Sequence, residues 1–279
     1  MQYENPKIPE QINTSKEHPL KEFSILLISA IIIVVIVSLI LGFGGGWLAG
    51  KIPFSAENKV TKMYDINQYT DNKTNPEIAQ YLQTLANKIS KAQNLPPEIK
   101  ITVHYMHDDT VNAFATLGGN IFIYRGLIKR LSSENSLAFL LGHEIAHVKY
   151  RHPIKSLGRG IVISIAMTAI MENTDSLVLG DAGMLTILKF SRDMEKQSDE
   201  EAMKTLNLLY GHLAGGAKLF EVFHELREEL DSEEPAELFS THPLDKDRIS
   251  NFSNIAKQKN WKEVGKLTPL PHFFKKSLH

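Results

Sequence analysis

The sequence predicts an α+β protein, a predominantly helical domain with a small β-sheet preceded by one N-terminal transmembrane helix. Three observations carry this: a charge-free apolar run near the start, apolar residues at helical spacing through most of the rest, and two short segments that alternate in strand fashion. The 279 residues suffice for one or two domains, and 43% hydrophobic with 23% charged content is that of a folded chain. A net charge of -1 offers no basic field to a phosphate backbone, which excludes a dedicated DNA or RNA binder. Without cysteine there is no disulfide, thiolate zinc site or thiol nucleophile, so any metal has to be held by His, Asp or Glu.

No residue between Glu22 and Lys51 is charged. A bilayer core of about 30 Å takes roughly 20 helical residues to cross, and the stretch from Ile25 to Leu41 with its glycine-rich, Trp47-bearing end supplies them. Residues 23–50 therefore read as a transmembrane helix behind a tail of residues 1–22. Glu4, Glu10, Glu17 and Glu22 in that tail, and the length of the run, favour an uncleaved anchor over a signal peptide. Lys7, Lys16 and Lys21 before the span are matched by Lys51, Lys59 and Lys62 after it, so the lysines do not orient it. A second apolar stretch, Ile161 to Met171, is too short to cross and reads as a buried or interfacial helix.

Residues 51–74 are polar, with Pro53, Asn58, Asn67 and Asn72, and read as a linker. The folded domain is placed at 75–265, with a C-terminal tail at 266–279. Asn75 caps a helix with Pro76 at its first position and a stripe of Ile78, Tyr81, Leu82, Leu85 and Ile89, stopped by Asn94 and Pro96-Pro97. Ile101, Val103 and Tyr105 alternate with polar residues, and Ile121 to Tyr124 follow a Gly118-Gly119 turn, which predicts a small sheet with a hairpin. A short acidic loop, Glu233 to Glu237, precedes the last part of the chain.

The chemistry lies on the next helix, capped by Ser132 or Ser133 and ended by Pro153, with Leu137, Leu140, Leu141, Ile145 and Val148 on one face. It contains His143-Glu144-Ile145-Ala146-His147. Residues four apart project from the same side of a helix, so both imidazoles can close on one tetrahedral metal, with Glu144 beside the open coordination position; the alternative is two surface histidines near a helix end. A catalytic zinc takes a third protein ligand, and the helix from Thr186 to Tyr210, closed by Gly211, offers Glu195. Asp199, one turn on, accepts the N–H of a ligand imidazole and fixes its tautomer. Alone, Glu195 with Glu200 and Glu201 would read as a solvated acidic face, and the histidine pair reverses that balance. His104, His107, His152, His212, His224, His272 and His279 have no partner at ligand spacing and read as surface or core residues.

These blocks resemble the gluzincin metallopeptidases of the HtpX-type and CAAX-prenyl-endopeptidase-type family, over most of the chain after the linker. Besides His143 to His147, the resemblance is carried by Asn112-Ala113-Phe114-Ala115 with Gly118-Gly119, by Ser191-Arg192, Glu195, Asp199 and Ala202, and by Ser240-Thr241-His242-Pro243 with Arg248-Ile249. The chain departs from the family at Ser198, where Ala is usual, and in having one span where the CAAX-type members have several.

The resemblance implies a single-span bacterial envelope protease, with its catalytic domain on the periplasmic side of the inner membrane. It would be a zinc endopeptidase that cleaves unfolded or damaged proteins, with one Zn2+ per chain on His143, His147 and Glu195 and with Glu144 as general base. Its partners would be protein or peptide substrates and the lipid bilayer, with no nucleic acid. His242 would meet the oxyanion of the scissile carbonyl, or occupy the open zinc position and hold the enzyme latent, or simply cap a helix. Arg248 would serve the oxyanion, orient a zinc ligand, or form a structural ion pair. Asn112, Ala113, Phe114 and Ala115 would pair with extended substrate as an edge strand, or be a plain hairpin strand. A function of another class also fits: a metal-stabilised adaptor, chaperone-like in envelope quality control, that binds clients and cuts weakly or not at all.

Overall fold

The computed structural model describes residues 19–61, 75–160, 190–229, 242 and 246–277. Helix α1, Pro19–Ala49, contains the charge-free run except Gly50, and Leu20–Val37 is long and apolar enough to cross a membrane, with none of it buried against protein. Its glycine-rich end is different. Ala49 joins Leu117, Ile154 and Leu157 in a small buried cluster, and a Cβ on Gly158 would stand 2.4 Å from the Ala49 Cβ. Small residues there let α1 touch the helical residues 152–160 backbone to backbone.

Polar composition predicts a linker after this helix, whereas Phe54–Thr61 form helix α2, docked on the domain. The reason is a partly buried ion pair: the Glu57 carboxylate, 4% exposed, accepts from Arg151 Nε at 2.8 Å and from the Gly118 amide at 3.0 Å. Arg151 also donates to the Ile52 carbonyl and covers the Phe54 ring. Residues 62–74 of the expected linker lie outside the described residues, as do Ile161 to Met171 and Glu233 to Glu237.

Helix α3, Pro76–Ala92, buries Ile78, Leu82, Leu85, Ala86 and Ile89, the predicted stripe. Asn75 occupies the cap position without a side-chain hydrogen bond, so Pro76 at the first turn is the stronger start signal. The sheet has three strands in the order β1 (Thr102–Met106), β3 (Asn120–Tyr124), β2 (Ala113–Ala115). β2 and β3 form the hairpin with Phe114 opposite Phe122, and β1 runs parallel to β3 with His104 opposite Phe122. Gly118 and Gly119 turn the chain into β3 with φ of 69° and 77°, and a Cβ on Gly119 would lie 2.1 Å from the Lys100 carbonyl oxygen.

Short helix α4, Arg125–Arg130, leads to the central helix α5, Glu134–Lys149. Ser133 caps α5, accepting from the Ser136 amide, and every residue from Asn135 to Val148 is buried. The apolar periodicity marks only one face, yet α5 is enclosed on all sides by α3, β2 and the two helices that follow. It ends before Pro153: Arg151 takes φ of 62°, and Pro153 stands in the first turn of the helical residues 152–160. Helix α6, Arg192–Tyr210, is capped by Ser191 and closed by Gly211 at φ of 75°. The predicted start at Thr186 is too early: Phe190 and Ser191 are not helical, Ser191 being the extended cap, and residues 186–189 are outside the described residues.

Helices α7 (Lys218–Glu229), α8 (Lys246–Gln258) and α9 (His272–Ser277) complete the described chain. The residues expected as a tail join the core. The Thr268 carbonyl accepts from the Glu134 amide, the Thr268 amide donates to Asn135 Oδ1 at 2.8 Å, and Phe274 is buried edge-on to Tyr81. Glu134 also accepts from the hydroxyls of Tyr81 and Tyr210, which ties α3 and α6 to the start of α5. Gly119→Ala should destabilise the fold by about 2–4 kcal/mol, because it adds both a clash and a left-handed alanine, and urea denaturation of the purified chain measures this.

Candidate metal centre

Helix α5 brings His143 and His147 to one side with their Nε2 atoms 2.9 Å apart. Helix α6 packs across it and presents Glu195, whose oxygens lie 3.5 Å from His143 Nε2 and 3.4 Å from His147 Nε2. His242 adds Nδ1, 3.4 Å from His143 Nε2 and 3.1 Å from Glu195 Oε1. One donor atom from each of these four buried residues lies within 4.8 Å of the others. Ligand atoms bound to zinc at about 2.0–2.2 Å in a tetrahedron stand roughly 3.3 Å from one another, so the nitrogen and oxygen donors fit such an ion in both kind and spacing.

Around the donors stands a layer of partners. Asp199, one turn beyond Glu195, places Oδ1 2.9 Å from His143 Nδ1, on the far side of the ring from the cluster. Arg248, from α8, grips Asp199 with Nε and Nη2, both at 2.7 Å, and reaches Glu195 Oε2 with Nη1 at 2.8 Å. The geometry of Arg248 is that of a guanidinium orienting carboxylates. Burial pushes the Glu195 and Asp199 carboxyls up, but Arg248, with His242 at Glu195 and His143 at Asp199, outweighs it and holds both below the usual carboxylate range. Burial likewise opposes the Arg248 charge, and the Asp199 and Glu195 carboxylates more than restore it.

Glu144 is 1% exposed, and its Oε2 has no hydrogen-bond partner among the described residues. Burial raises its carboxyl above the ordinary value, against the pull of His242 and His143. The His242 Nε2 stands 3.5 Å from Glu144 Oε1, so one imidazole touches both the donor cluster and the neighbouring carboxylate. Burial depresses His147, which favours the neutral ring a metal requires.

Asn112, Ala113, Phe114 and Ala115 are brought beside this centre but contribute no donor to it. Backbone bonds from Tyr124 to the Asn112 carbonyl and from Thr116 to the Asn120 carbonyl direct these positions toward β3. Ala113 and Ala115, being alternate, turn their backbone groups to the opposite edge, where the Ala115 N–H meets Glu144. No strand lies on that edge among the described residues.

Two residues were not legible as parts of the centre. His152 is buried with Nδ1 3.0 Å from His147 Nδ1, and Phe190 stacks on the His147 ring at 4.0 Å between centroids. The only sequence signal for His152 is its place five residues after His147, which is not a same-face spacing on a continuous helix.

Two histidines and a glutamate from crossing helices, beside a small sheet with an edge strand, define the gluzincin class of zinc metallopeptidases. The chain belongs to peptidase family M48: the model for "Peptidase family M48" matches residues 72–256. It is similar to the beta-barrel assembly-enhancing protease of Yersinia pestis, 27% identical over 204 residues that cover 66% of this chain and 40% of the relative. The protein of that name from Escherichia coli K12 is 26% identical over 199 residues, with the same 66% and 40% coverage. The mitochondrial metalloendopeptidase OMA1 of Homo sapiens is 25% identical over 230 residues, covering 76% of this chain and 44% of the relative. The chain thus spans less than half the length of these relatives.

Arg248→Met leaves two buried carboxylates without their cation and should cost about 3–5 kcal/mol, read as a lower urea midpoint. In the unsubstituted protein the Asp199 contribution, because its carboxyl is depressed in the fold, is complete above about pH 4 and is lost as pH falls through the folded-state value. Denaturation midpoints measured across that range should fall on the acid side.

Proposed function

We propose that the chain is a membrane-anchored zinc endopeptidase that hydrolyses peptide bonds of unfolded or damaged proteins, with one Zn2+ per chain on His143, His147 and Glu195. The convergence of these three side chains with the unpartnered oxygen of Glu144 beside them carries the reading. Bound zinc supplies Lewis acidity, polarising a carbonyl and lowering the pKa of water to about 7.

The residues of the chain do the rest. Glu144 takes the proton of the attacking water and returns it to the leaving amine, and its raised carboxyl suits both directions of transfer. Asp199 and Arg248 hold His143 and Glu195 in place. The outward edge of β2, at Ala113 and Ala115, is the side on which an extended substrate would add a strand once the Ala115 N–H is released from Glu144, a mode that reads shape rather than side chains and so suits unfolded clients. Asn112 and Phe114 fix that strand from its β3 side.

For His242, the position of Nδ1 within the donor cluster favours latency over oxyanion binding: the imidazole fills the place a substrate carbonyl would take. On this reading His242 must withdraw before cleavage, and it is then free to meet the oxyanion through the ring that now faces Glu144. The domain division in this reading is residues 23–50 as anchor and residues 75–265 as the catalytic unit, with α2 and the terminal segment packed against it. The catalytic domain is placed on the periplasmic side of a bacterial inner membrane, by analogy with single-span envelope members of the family.

Glu144→Gln should reduce cleavage of an unfolded casein by at least about 10²–10⁴-fold while zinc stays bound, because Glu144 is not a ligand. Full proteolysis by that variant would remove Glu144 as the base. A client effect that survives the substitution would support the adaptor reading over the enzyme. For topology, proteinase K added to spheroplasts should digest the domain, and protection until lysis would place it in the cytoplasm.

A further inference from the structure

We propose that His152 is a positioning residue that decides which nitrogen of His147 carries the proton, and that Gln197 decides the same for His152. The inference rests on reading His143, His147 and Glu195 as a metal centre. The contacts form a chain of two links: His147 Nδ1 to His152 Nδ1 at 3.0 Å, and His152 Nε2 to Gln197 Oε1 at 3.1 Å. Ser198 Oγ lies further from His152 Nδ1, at 3.5 Å.

Each link needs one donor and one acceptor. An amide oxygen only accepts, so Nε2 of His152 donates to Gln197, and the neutral ring is left with a bare Nδ1. That bare nitrogen accepts from His147, which therefore carries its proton on Nδ1. Its Nε2 lone pair then faces the cluster, 2.9 Å from His143 Nε2 and 3.4 Å from Glu195 Oε1, where a metal needs it. Turning the amide over reverses every link and places a proton on the nitrogen that should bind metal.

The two imidazoles are thus oriented by different chemistry. His143 faces Asp199, a carboxylate whose burial calls for the Arg248 guanidinium. His147 faces a neutral imidazole and an amide, which fix its tautomer without adding a buried charge that would need its own counter-ion. Phe190, stacked on His147 with planes 24° apart, restricts the rotation that would break the first link.

The test compares His152→Leu, His152→Asn, Gln197→Met and Gln197→Glu in the full chain in detergent. It reads zinc affinity by chelator competition and the His147 tautomer by nitrogen-15 NMR. His152→Leu should weaken zinc binding about 10–100-fold, and His152→Asn, whose Oδ1 replaces the accepting nitrogen, should recover most of it. Gln197 is exposed, so Gln197→Met should leave the fold intact while His147 loses its Nδ1–H preference and zinc binding weakens. Gln197→Glu, which only accepts, should preserve both. Unchanged zinc affinity in His152→Leu, no recovery in His152→Asn, an unchanged tautomer in Gln197→Met, or equal losses in Gln197→Glu and Gln197→Met would each overturn the proposal. An unsubstituted chain that binds no zinc would overturn the metal-centre reading and this inference with it.

Discussion

A guanidinium closed off from water governs this centre. Arg248 is 3% exposed, and two carboxylates, Glu195 and Asp199, project toward it from successive turns of α6. Left alone they would repel each other inside the protein, and each would take up a proton rather than remain an anion. Arginine resolves this because its fork is planar: two nitrogens meet both oxygens of Asp199 while the third reaches Glu195. A lysine ammonium in the same place is a point charge and could not hold both carboxylates in fixed directions. The rings of Phe220 and Phe223 lie under the guanidinium at 5.3 and 5.9 Å, so α7 and α8 are held to α6 through the same group.

How far the centre could be read from the sequence follows from how local each contact is. His143 and His147 are legible because one helix sets their separation, and Glu195 with Asp199 because a capped helix repeats the same geometry. Arg248 and His242 gained meaning only from the family resemblance, since nothing in local spacing aims them at α5. His152 was missed for a definite reason. The helix breaks at Arg151, whose φ of 62° swings the next residue back against His147, and no helical periodicity describes that turn.

The fold shows the same division. Periodicity shows the stripe of α3 and the strands β1 and β3, but these two run parallel; the partner of β3 in the hairpin is β2, whose residues 113–115 carry no alternating pattern and are marked only by the family resemblance. The burial of α5 on every side was not evident, because Asn135, Ser136, Glu144 and both histidines break its apolar pattern, though each is buried for a partner or a ligand rather than exposed to water. Residues 54–61 look like a linker because Glu57 and its neighbours are polar, and composition cannot show that Arg151, almost a hundred positions later, closes over that carboxylate. Phe274 likewise reads as part of a tail until Tyr81 is seen beneath it.

The break at Arg151 has a second consequence. The same residue that turns His152 inward also clasps Glu57, and the helical residues 152–160 that begin there meet the end of α1 at Gly158. A helix rises about 1.5 Å per residue, so the neighbour of His147 and the contact with the apolar N-terminal helix sit roughly 9 Å apart on one stiff element. The Gly158 contact is close enough to leave no room for sliding, since even a methyl group there would strike Ala49 and the Gly45 carbonyl. The contact with α1 at Gly158 and the contact of His152 with His147 therefore stand on one short helix, so a change that displaces that helix disturbs both at once.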